Sequence, residues 1–167
     1  MDIIMKLLRE LWALSIDKLC DTELFEMALN RKKAKQIVTA KSPQLVKHLI
    51  KLFVFNSPEN KQHWVAEINN WCTELDDLYL KSNSSKVDSK TMFNWLVYES
   101  SPHYDGAYVR KVVRQITAQQ NPPIAQYIYD PDTLMRDIIM LLDVVTVDIA
   151  SDNFFSINDY LPNWLKV

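Results

Sequence analysis

Glycine is nearly missing from this chain. Gly106 is the only one in 167 residues, where average usage of roughly 7% would give about a dozen. Hairpin turns, β-bulges, phosphate-cradling loops and nucleophile elbows all lean on glycine for φ > 0 or for close backbone approach. Their absence disfavours antiparallel β architectures and glycine-dependent active sites. The sequence contains no Walker loop, no GxGxxG, no GxSxG, no HExxH and no EF-hand loop. No cofactor and no metal is expected.

Cysteine is also scarce. Cys20 and Cys72 stand alone, without a CxxC or a zinc-like histidine spacing, and read as reduced core thiols. Long apolar runs are missing too. The richest, Ile138 to Ala150, is broken by Asp143 and Asp148, so a membrane-spanning helix is not expected. Asp2, Lys6, Arg9 and Glu10 interrupt any signal-peptide core. The expected location is the cytoplasm.

What is present is apolar and aromatic. Hydrophobic residues make up 48%, with five Trp and seven Tyr, enough for a sizeable core at this length. The expectation is one all-α domain over residues 1–167, a bundle of about six to eight helices. The Ser-rich loop 82–88 is the one place where it could divide.

Proline supplies the punctuation. Ser42-Pro43, Ser57-Pro58, Ser101-Pro102 and Asp130-Pro131 each put an N-cap residue before proline, which suits the first helical position. The first predicted helix runs from Asp2 to Ser15, with Ile4, Leu7, Leu8, Leu11 and Leu14 as its stripe. A second follows Asp21 and buries Leu24, Phe25, Ala28, Leu29 and Ile37. A third begins at Pro43, with Leu45, Leu49, Leu52 and Phe53.

The fourth, from Pro58, carries Trp64, Ile68, Trp71, Leu75 and Leu78 at helical intervals. A fifth fits Ser89 to Tyr98 and a sixth Ala107 to Gln119, stopped by Asn121-Pro122-Pro123. The last long segment, Asp130 to Ile149, is so apolar that it is expected as a buried central helix. The β-prone Val144 to Val147 run lies inside it. Ser156 to Asp159 resembles a capping box.

Charge is uneven. Residues 1–61 hold eleven Lys/Arg against seven Asp/Glu, and residues 62–167 hold eight against fourteen. From Met27 to Pro58 there is no acid, but there are seven bases: Arg31, Lys32, Lys33, Lys35, Lys41, Lys47 and Lys51. With His48, this stretch is a candidate phosphate-contacting patch, or else a face matched to the chain's own acidic half.

Three other groups bear on chemistry. Glu59, His63 and Glu67 share one helix face at i, i+4 and i+8, a partial metal-ligand set or an exposed polar stripe. The loop His103, Tyr104, Asp105, Gly106 leads into Tyr108, Arg110 and Arg114, which could contact a ligand or a partner. Asp137, Asp143 and Asp148 punctuate the last apolar segment and are costly to bury unless paired. The function expected is a non-catalytic helical interaction protein with a protein partner, such as an immunity, inhibitor or adaptor protein. The alternatives are nucleic-acid association through Arg31–Lys51, and an enzyme or metal-binding bundle built on His63 or the His103–Arg114 region.

Overall fold

In the computed structural model, residues 23–55, 57–81, 87–100, 104–119 and 130–167 are described, with the side chains of 23–30 and 78–81 left aside. The expected first helix, Cys20, the 82–86 loop, His103 and the 121–123 stop lie outside these residues.

Every regular element described is helical. Five α-helices occur among the described residues: α1 (Glu23–Val54), α2 (Pro58–Lys81), α3 (Ser89–Val97), α4 (Gly106–Gln119) and α5 (Pro131–Ala150). A 3-10 turn, Ile157–Asp159, follows. The Val144 to Val147 run is helical within α5. Helices α1 and α5 form the frame. They pack on each other, and each also packs on α2, α3 and α4. The buried apolar side chains of all five helices and of the C-terminal segment join one cluster. No described helix is long and apolar enough to cross a membrane.

Most helix starts follow the capping chemistry. Asp130 accepts from the Thr133 N–H at 3.0 Å ahead of Pro131. Asp88 accepts from the Thr91 N–H at 2.6 Å, and Asp105 from the Tyr108 N–H at 2.9 Å. Each satisfies a donor that the first turn would otherwise leave open.

Pro43 departs from expectation. It lies inside α1, which runs unbroken through it for 32 residues. A mid-helix proline costs about 3 kcal/mol or more in isolation. Burial on both sides of it outweighs that cost: Ala34 and Val38 precede it, and Leu45, Val46, Leu49 and Ile50 follow, all in the core. Ser42 does not cap a helix; its hydroxyl turns inward.

Three further differences are local. Ile37 is exposed, and Val38, one residue on, takes the buried place. On α2 the buried line is Trp64, Ile68, Cys72 and Leu75, with Trp71 half-buried at its edge. Helix α5 is not wholly enclosed. Leu134, Ile138, Leu142, Val145 and Ile149 face inward, while Met140, Val144 and Val147 are 62%, 52% and 47% exposed. Twenty helical residues present a full circumference, and neighbours cover only part of it.

Gly106 is not used for a left-handed turn. Its N–H donates to Asp132 Oδ1 at 3.0 Å, and a Cβ there would stand 2.0 Å from that same oxygen. Its value is the space that lets a carboxylate from the first turn of α5 cap the start of α4. Among the described residues, the left-handed position, at φ 56°, is occupied by Asp152. It follows α5, where the Asn153 N–H closes on the Asp148 carbonyl at 2.8 Å.

Candidate functional site

The sequence-selected loop proves to be an anchor. Tyr104 is buried, and its hydroxyl lies 2.8 Å from Ser42 Oγ. Ser42 Oγ donates to the Leu96 carbonyl at 2.5 Å, and Ser100 Oγ donates to the same carbonyl at 2.6 Å. With the Ser42 proton committed there, Tyr104 must be the donor to Ser42. Each of the three hydroxyls therefore donates one bond. The set ties α1 to α3 and to the segment leading into α4. Burial pushes the Tyr104 hydroxyl above its ordinary pKa, with the neighbouring Ser100 and Ser42 hydroxyls opposing. Tyr108 packs edge-to-face on Tyr104 at 4.9 Å, and its own hydroxyl is pushed up to about 12 by burial and by Tyr104.

Arg110 and Arg114 are exposed on α4, and Asp143 is exposed on α5, so the feared burial of a lone carboxylate does not arise. Asp137 is exposed too, and Asp148 accepts from the Tyr160 hydroxyl at 2.7 Å. None of these residues lines the cavity of about 250 Å³ formed by Leu52, Phe53, Val54, Phe55, Lys61, Trp164 and Leu165.

The basic stretch divides. Lys35 pairs with Glu99, Lys41 pairs with Glu74 at 3.1 Å, and the Arg31 guanidinium lies over Trp95 at 5.9 Å. Helices α2 and α3 and the turn after α3 thus supply partners for three of the bases. Lys32 and Lys33 are exposed, and Lys47 is half-buried. Lys51 is held below its ordinary pKa by burial and by Lys47, with Glu67 opposing.

The helix-face trio also divides. His63 Nε2 lies 3.4 Å from Glu67 Oε1, and Glu59 is exposed. The other oxygen of Glu67 faces a histidine that spacing did not connect to it: His48 Nε2 lies 2.5 Å from Glu67 Oε2. His48 is buried, with Nδ1 2.9 Å from the Gln44 carbonyl. Its ring meets Trp71 edge-to-face at 4.7 Å. A signal for this pair existed. Residues 48 and 67 lie at comparable distances either side of the Phe55–Ser57 break, so a helical hairpin sets them opposite one another. No group of three His, Cys, Asp or Glu suited to a metal occurs among the described residues.

The acids gather in part. Asp76 is held above the ordinary carboxylate range by burial, then by Asp152 and Asp77, and its Oδ1 is enclosed without a hydrogen-bond partner. Comparison with known protein families, with curated proteins and with solved structures found no match.

Proposed function

We propose that this chain is a non-catalytic interaction protein whose partner is a protein, docked on the outer face of α5. One observation carries the reading: Met140, Val144 and Val147 form an exposed apolar line at i, i+4 and i+7. That spacing places them on one side of the helix, in the arrangement by which helices seat in partner grooves or pack on partner helices. Asp137 and Asp143 are exposed beside the line, and Arg136 is exposed one turn before Met140. With two acids against one base, the occupant proposed is a helix whose apolar stripe is bordered chiefly by Lys and Arg. An immunity, inhibitor or adaptor role in the cytoplasm is part of the proposal, by analogy with small chains that lack catalytic motifs.

The nucleic-acid alternative rests on Lys32, Lys33 and Lys47, since Lys35, Lys41 and Arg31 are engaged within the chain. The enzyme or metal alternative on His63 would need a further ligand.

The test titrates the isotope-labelled chain with a synthetic helical peptide of leucines flanked by lysines, followed by NMR. Shifts confined to α5, lost with Val144→Glu and weakened by Asp143→Lys, support the proposal. Shifts spread over other helices, or binding indifferent to both substitutions, overturn it. So does self-association of the chain through α5 in sedimentation. A salt-sensitive gel shift with random duplex or single-stranded RNA, abolished by Lys32→Glu with Lys33→Glu, would transfer the reading to nucleic acid.

A further inference from the structure

The seam between α1 and α2 holds a histidine with two acceptors in front of it. A backbone carbonyl can only accept, so the 2.9 Å contact between His48 Nδ1 and the Gln44 carbonyl places a proton on Nδ1. A neutral ring in that tautomer presents a lone pair at Nε2. Glu67 Oε2 stands 2.5 Å from it, closer than an ordinary N–H···O contact. Two lone pairs repel at that separation, so the contact is held by charge only when the ring carries its second proton, and the imidazolium does so while keeping the Gln44 contact.

Opposing forces surround that proton. Burial is the largest, and the ammonium groups of Lys51 and Lys47 act with it against the charged ring. The Gln44 carbonyl and the Glu67 carboxylate act for it. The balance holds His48 below 6.5, its ordinary value. Glu67 also has somewhere else to go. Its Oε1 is already 3.4 Å from the exposed His63, while Oε2 is enclosed and accepts no aligned hydrogen bond.

We propose that His48, Glu67 and His63 form a proton-operated latch across the α1–α2 seam. With the proton in place, Glu67 closes on the imidazolium and joins the two helices beside Trp71. Without it, the carboxylate turns from His48 toward His63 and solvent, and the seam loses its polar tie. The seam then responds to pH below the ordinary histidine value of 6.5 without any change elsewhere in the core.

Side-chain 15N NMR of the full chain, followed from about pH 5 to about pH 8, tests this. Above its midpoint His48 should report the Nδ1–H tautomer, and below it the imidazolium. Glu67→Gln should lower the His48 midpoint, because the carboxylate that favours the charged ring is gone. Lys51→Met should raise the midpoint. A His48 that keeps one charge state throughout overturns the latch. So does a midpoint indifferent to both substitutions.

Discussion

Ser42 and His48 sit on one helix, less than two turns apart, and both are buried polar residues. Their surroundings differ in kind. Around Ser42 the partners are hydroxyls and one carbonyl, and each hydroxyl proton has a place to go. Around His48 the ring faces two acceptors, and one proton too few or one charge too many is always in play. Neutral hydroxyls can close a buried network at every ordinary pH. An imidazole beside a carboxylate closes only where the charge is tolerated. The first cluster fixes the position of one loop, and the second makes a helix seam conditional.

Substitutions can break the first side of this comparison. The largest effect is expected at Gly106, which holds the start of α4 just after Tyr104. Gly106→Ala drives a methyl into Asp132, whose backbone nitrogen stands 3.1 Å from the added Cβ. A loss of about 3 kcal/mol in urea unfolding is expected, partly recovered in the double variant with Asp132→Ala. Next comes Ser42→Ala, which strands the buried Tyr104 hydroxyl at a cost of about 2 kcal/mol. That loss should be the same at mildly acidic and neutral pH. Tyr104→Phe removes only a donor and should cost about 1 kcal/mol. A larger loss there than in Ser42→Ala would reverse the assigned bond directions.

The second side is broken by pH. The folded His48 binds its proton less readily than the unfolded chain does. Between pH 6.5 and the lower folded value the unfolded state therefore holds more protons. Stability should fall as pH drops through that window, with a slope of at most about 1.4 kcal/mol per pH unit for one proton. His48→Gln should remove this component of the slope, and Glu67→Gln should extend it to lower pH because the compensating charge is gone. Asp76 gives the smallest effect and the opposite sign. Its carboxyl is raised, so the charged form weighs on the fold above that raised value. Asp76→Asn should lift the thermal midpoint slightly at neutral pH, with the gain vanishing in acid.

Much of the fold could be read from the residues. Pro58, Ser89 and Pro131 start helices as their flanking residues indicate, because capping is local chemistry that a few adjacent side chains decide. Pro43 could not be read, because the terms that outweigh its cost come from residues on other helices. The Trp71-for-Cys72 exchange on α2 has the same origin. Both positions fit a helical stripe, and only the neighbours decide which points inward. In the candidate loop, the choice of residues was sound and the role was different. Tyr104, Asp105 and Gly106 are set apart by capping and close approach, which in sequence look the same as a ligand-binding turn. The His48–Glu67 pair needed the hairpin first.

Cys72 carries a last consequence. It is fully enclosed on α2, and burial pushes its thiol up to about 12. Only a thiolate attacks an alkylating reagent or a disulfide at a useful rate, so the native protein keeps this sulfur silent. Each alkylation event at Cys72 then records one opening of the bundle around it. The rate of that slow reaction is a clock for how often the core breathes, and it needs no label beyond the sulfur already there.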